Sequence, residues 1–115
     1  MTGDSPVVTV AGREGIPVVH LHGDLDDESA PAAARALGEA VTSGADRTVV
    51  DLSGTSFADS SILHVLLEAQ RNHAAAGSAL VLAGPFQPAV RRLFEVTGSV
   101  LAFRMTDSLE TAMTC

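Results

Sequence analysis

The chain has 115 residues, 46% hydrophobic and 18% charged, a balance that suits a packed globular fold and argues against an intrinsically disordered one. Fourteen acidic residues against seven basic ones leave a net charge of −7, which repels nucleic acid and anionic lipid; with 3% aromatic residues and no Trp or Tyr, there is no platform for stacking bases. All seven basic residues are arginines, so a Walker-type phosphate loop and Schiff-base chemistry, both of which need lysine, are excluded.

In chain order, PVVTVAGREGIPVVHLHG reads as two strands joined at Gly12–Gly15, a β-hairpin, with Pro17 at a strand start or edge where its missing N–H does no harm. GDLDDESAPAAARALGEAVTSG follows with acids and Ser29 first and Pro31 in an opening helical turn. Ala30, Ala34, Leu37 and Val41 then fall at helical spacing, and Gly44 closes the segment. RTVVDLSG is a short buried strand, SSILHVLLEAQRNHAAAG a helix stopped at Gly77, and SALVLAGP a second buried strand. QPAVRRLFEVTG puts Val90, Leu93 and Phe94 on one helical face and stops at Gly98. VLAFRM reads as the last strand, and TDSLETAMT as a closing helix whose Asp107 and Glu110 form a capping box.

This order, β-β-α-β-α-β-α-β-α, defines an α/β domain spanning residues 1–115. Strands that alternate with helices imply parallel crossovers, hence a mixed, mostly parallel sheet with an antiparallel N-terminal hairpin and about four covering helices. No apolar run approaches the roughly 20 residues of a membrane span, and MTGDSPVV lacks the basic start and long apolar stretch of a signal peptide. A cytoplasmic location is expected, with proteins or small molecules as partners and neither nucleic acid nor membrane. Cys115, the single cysteine, has no mate for a disulfide or a metal cluster.

Chemistry concentrates in VVDLSGTSFADSSILHVLL. The strand ends near Asp51–Ser53 and helical apolar spacing begins at Ile62, so Asp59 or Ser60 stands at a helix N-terminus. An ordinary N-cap is the structural reading. A phosphate on Ser60 is the functional one, because the same backbone N–H groups suit an anion, and it would add about −1.5 to −2 charge. The loop Gly23-Asp24-Leu25-Asp26 leaves a neighbouring strand end, where its carboxylates would oppose that charge or orient a transferred phosphoryl group and its metal.

Other polar residues carry less. Asp51 at a strand end matches the phosphoacceptor position of a receiver domain, but the acidic pair is misplaced and the required lysine is absent; capping of the turn in DLSG is expected instead. His20 and His22 share one side of a strand with no third metal ligand in view, so a solvated or hydrogen-bonded face is expected. His64 is expected at a partner surface, and His73, Arg91 and Arg92 on solvated faces. No Ser-His-Asp order or nucleophile elbow supports hydrolase chemistry.

The order of elements, with HGDLDDESA, VVDLSGTSFADSSILHVLL and FQPAVRRLFEVTG, resembles the STAS domain family over nearly the whole chain, most of all its stand-alone anti-sigma factor antagonists. The resemblance implies a non-catalytic switch without cofactor or bound metal. Ser60 matches the serine that an anti-sigma factor serine kinase phosphorylates using ATP, with Ser61 the subordinate acceptor. Asp59 matches the motif aspartate, and Asp24 and Asp26 match acidic positions beside it. Unphosphorylated, such a protein binds the kinase and frees a sigma factor; phosphorylated, it lets go until a PP2C-type, metal-dependent phosphatase restores it. A monomer is expected. The family continues Asp-Ser-Ser/Thr-Gly-Leu-Gly, whereas this chain reads Asp59-Ser60-Ser61-Ile62-Leu63-His64. Ile62 and His64 in place of glycines are therefore expected to alter docking. The other reading is a STAS scaffold or adaptor subunit of a larger signalling or transport complex, bound without phosphoryl transfer.

Overall fold

A computed structural model describes residues 7–114 of the chain. Two strands, β1 (Val8–Arg13) and β2 (Ile16–Leu21), pair antiparallel across Glu14 and Gly15, whose φ values of 53° and 80° are the two positive angles a two-residue primed turn requires. The hairpin expected from the sequence is present, and Pro17 sits one residue before β2 begins to pair on its other side at Val18. Cys115 and residues 1–6 lie outside the described residues.

Parallel strands complete the sheet: β4 (Arg47–Asp51), β6 (Ala79–Ala83) and β7 (Arg104–Thr106), in the spatial order β1-β2-β4-β6-β7. Between the strands run α1 (Ala30–Val41), α2 (Ser60–Ala76) and α3 (Pro88–Thr97), and α4 (Leu109–Thr114) follows β7. Alternation along the strands divides the core. Val19, Leu21, Val50, Leu80 and Leu82 point to the face covered by α1, α2 and α3, while Val18, Val49, Val81 and Ala83 point to the face covered by α4. The mixed sheet with its antiparallel hairpin and four helices is thus the architecture expected.

Four local expectations are corrected. A second, two-stranded ribbon joins β3 (Gly23–Leu25) to β5 (Thr55–Ala58), where the sequence suggested only loops. Residues Ser99–Ala102 form a 3₁₀ turn rather than strand, because Gly98 adopts φ 70° and redirects the chain; Val100 and Leu101 are left exposed. In α1 Leu37 is buried as expected and Ala30 packs partly on the core, but Ala33, Ala36 and Ala40 are buried in place of Ala34 and Val41, since an alanine-rich helix offers nearly equal faces and packing against α2 chooses. In α4 it is the Ser108 hydroxyl that accepts the Thr111 N–H (3.1 Å), so Ser108 and not Asp107 caps the helix.

Candidate functional site

The N-terminus of α2 is built by Asp59. Its backbone is extended (φ −101°, ψ −175°), and its Oδ1 accepts the N–H groups of Ser61 (2.9 Å) and Ile62 (3.4 Å). Asp59 is therefore the N-cap, and Ser60 is the first helical residue. The Ser60 side chain is exposed, and its hydroxyl has no hydrogen-bond partner among the described residues. Ser61 is half-buried. Two of the N–H groups that would welcome an anion are thus already taken by a carboxylate. An added phosphate would stand beside Asp59 rather than in its place.

The β3–β5 ribbon places the acids. Asp24 pairs with Phe57 and Leu25 with Ala58, and the Asp59 N–H donates to the Leu25 carbonyl (3.1 Å), so the residues after β3 run beside the start of α2. The buried Thr55 hydroxyl anchors the ribbon to the sheet by donating to the Leu21 carbonyl at 2.7 Å. Asp24 is exposed. Asp26 is also exposed, but its Oδ1 accepts from Glu28 N (3.1 Å), Ser29 N (3.3 Å) and the Ser29 hydroxyl (3.4 Å), which closes the turn into α1. Asp24, Asp26, Asp59 and Ser60 therefore share one end of the molecule.

Ile62 and His64, the two departures at glycine positions, go opposite ways. Ile62 is 1% exposed and lies among the core residues beneath α2, so its bulk is absorbed inward; His64 is exposed and changes the outer surface. His73, expected at the surface, is buried. Its Nδ1–H donates to the Ala69 carbonyl (2.7 Å), leaving Nε2 to meet the Thr48 hydroxyl at 2.8 Å. The spacing 62, 66, 69, 73 marks the buried stripe of α2 and could have revealed it.

At the ends of β2 and β4, Asp51 Oδ2 meets His20 Nδ1 at 2.8 Å, while its Oδ1 accepts from Ser53 N (3.0 Å) and the Ser53 hydroxyl (2.7 Å). Burial pushes this carboxyl's pKa upward, but the Ser53 donors and the His20 ring outweigh it, and the pKa lies below the usual aspartate value. The expected turn-capping role of Asp51 is present; the partnership with His20 is additional. His22 stacks on His20 with ring centroids 6.1 Å apart and packs over Gly54, where a Cβ would meet its Nδ1 at 2.7 Å. Arg91 and Arg92 are exposed as expected, Arg91 lying 5.9 Å from the Phe86 ring centre.

A mixed sheet with helices on both faces, and an exposed hydroxyl at one end beside grouped carboxylates, defines a small α/β domain. Residues 8–99 match the STAS-domain family described as "Mlab, STAS domain", and the chain belongs to that family. It is 31% identical over 111 residues to the anti-sigma-F factor antagonist RsfB of Mycobacterium tuberculosis, covering 96% of this chain and 89% of that protein. The crystal structure of an anti-sigma factor antagonist from Mycobacterium paratuberculosis superposes with a TM-score of 0.84 at 28% identity, over 98% of this chain and 95% of that one. The phosphorylated form of the Bacillus cell fate determinant SpoIIAA gives a TM-score of 0.69 at 21% identity, over 90% and 95% of the two chains, a likeness of fold.

Proposed function

We propose that this chain is an anti-sigma factor antagonist that works as a phosphoswitch, with Ser60 as the acceptor. The observation that carries the reading is the exposed Ser60 hydroxyl in the first turn of α2, without a hydrogen-bond partner among the described residues and beside the capping carboxylate of Asp59. The unphosphorylated chain binds an anti-sigma factor serine kinase, and a sigma factor is released. The Ser60 oxygen then attacks the γ-phosphorus of ATP held by that kinase. The new O–P bond forms as the bond to the departing ADP oxygen breaks, and the hydroxyl proton passes to a base of the kinase. A PP2C-type phosphatase reverses the step by hydrolysis. The chain supplies no catalytic group of its own, and the regulation takes place in the cytoplasm.

The electrostatics support a release on phosphorylation. Because Asp59 already holds the Ser61 and Ile62 N–H groups, a phosphate dianion gains little from the helix terminus and adds to the charge of Asp59, Asp24 and Asp26. Enclosing that charge in an interface costs about 2–5 kcal/mol, a factor of roughly thirty to several thousand in affinity. Ser61, half-buried beside the cap, is the subordinate acceptor.

A second reading, a STAS scaffold or adaptor that binds a larger complex without phosphoryl transfer, is favoured by the exposed His64 where the motif has glycine. Pull-down from native lysate with Ser60→Ala and Ser60→Asp baits, read by mass spectrometry, separates the two. Capture of a small ATP-binding serine kinase by Ser60→Ala and its loss from Ser60→Asp supports the switch. One complex without a kinase on both baits supports the scaffold.

A further inference from the structure

Helix α3 carries two apolar stripes: one is buried in the core, and the other meets the core only through half-buried Leu93. Val90 and Phe94 are buried at 1% exposure, whereas Ala89, Leu93 and Val96, at i, i+4 and i+7, run along another side, with Leu93 half-buried and Val96 69% exposed. Opposite them stands Phe57 of β5, 48% exposed. These side chains line a shallow groove of about 310 Å³ between β5 and α3, with Arg92 in its wall and Asp59 at its end. Apolar surface of this kind, gathered in one place and rimmed by polar groups, marks a contact site more often than isolated exposed residues do.

We infer that this groove is the apolar anchor site for the serine kinase that modifies Ser60, a deeper reading of the switch proposed above and resting on it. The kinase must bring its phosphoryl donor to about 3 Å from the Ser60 oxygen. A specific interface also covers about 800 Å² on each partner, a patch roughly 30 Å across. Centred on Ser60, such a patch includes the groove, because the residue before Ser60 is part of its wall. The chemistry of the occupant follows from the lining. A large aliphatic or aromatic side chain of the kinase enters against Phe57, Leu93 and Val96. Arg92, exposed and with no acidic partner among the described residues, takes a carboxylate of the kinase beside that anchor. Phosphorylation at the mouth then acts twice, since a dianion next to Asp59 must lose water for the apolar contact to stay dry.

The test places the photo-crosslinking residue benzoylphenylalanine at position 96 in the groove, at position 24 beside Ser60, or at position 10 on the exposed edge of β1, in the full chain expressed in its native cells. The expected result is an ATP-binding serine kinase joined at positions 96 and 24 and absent at position 10. In parallel, Val96→Asp on the Ser60→Ala bait should lower capture of that kinase at least tenfold without shifting the melting temperature, because Val96 is mostly exposed. Kinase joined at 24 but not at 96, or unchanged capture by Val96→Asp, overturns the groove while the switch stands. No kinase at either position overturns both. A second copy of this chain, or a complex lacking a kinase, joined at 96 assigns the groove to a scaffold contact and overturns the proposal.

Discussion

Asp51 ends β4 and Asp59 follows β5, and each accepts a backbone N–H from two residues on, yet they act on different levels. Asp59 satisfies two orphan donors of α2, so Asp59→Ala should lower stability by about 1 kcal/mol, seen as a lower urea midpoint with an unchanged slope. Asp51 contributes a pH dependence. Its pKa is lower in the folded chain than in the unfolded one, so its stabilisation is complete above the unfolded value of about 3.9 and is lost as pH falls through the folded value. The urea midpoint of the wild type should therefore drop more steeply than that of Asp51→Asn between about pH 5 and about pH 2, and parallel curves would remove Asp51 from the acid response. Both aspartates were legible in the sequence as far as their chemistry is local, because a cap or a turn bond spans two or three residues. The His20 contact was not legible, since 31 positions separate the partners and only the β2–β4 register joins them.

Among the elements, the β3–β5 ribbon shows why short pieces escape sequence reading. Three and four residues are too few to display a period of two, and the ribbon is held instead by a buried hydroxyl and a neighbouring strand. Thr55→Val keeps the shape but leaves the Leu21 carbonyl without its donor, a loss of about 1–3 kcal/mol. Hydrogen exchange at the Asp59 amide, which donates to Leu25, should accelerate with it if the ribbon positions the candidate site. Helix α2 was legible in its ends, from Asp59 to Gly77 in the left-handed conformation, but its polar core residue was misread from its polarity. His73→Ala removes two buried hydrogen bonds and opens space around Thr48, a destabilisation of roughly 2–4 kcal/mol. His64→Ala, on the exposed side of the same helix, should stay within about 0.5 kcal/mol, so a thermal melt of the pair reads burial directly. In α3 the spacing of Ala89, Leu93 and Val96 was present in the sequence, but only the position of β5 distinguishes a groove wall from a second core face.

At the scale of the whole molecule, the sheet separates duties between its faces. The alternation of strands and helices made the α/β class and the parallel crossovers readable, because a right-handed crossover needs a helix between parallel strands. Which face each helix covers depends on packing, and it decides what the C-terminal helix is for. Leu109, Ala112 and Met113 of α4 close the face formed by Ile16, Val18, Val49, Val81 and Ala83, and the Arg47 guanidinium reaches across to donate to the Ala112 carbonyl at 2.9 Å. Ser60, Asp59 and the β5–α3 groove belong to elements packed on the opposite face. Ending the chain at Ser108 uncovers the α4 face alone and should cost roughly 2–4 kcal/mol, the scale of re-exposing two partly buried aliphatic side chains and the strands beneath them. In urea the truncated chain should unfold at a lower midpoint, yet well below its melting temperature it should still capture the same partner through a Ser60→Ala bait. Loss of capture by a truncated chain that remains folded would mean instead that strain passes through the sheet from one face to the other, and α4 would then belong to the switch as well as to the core.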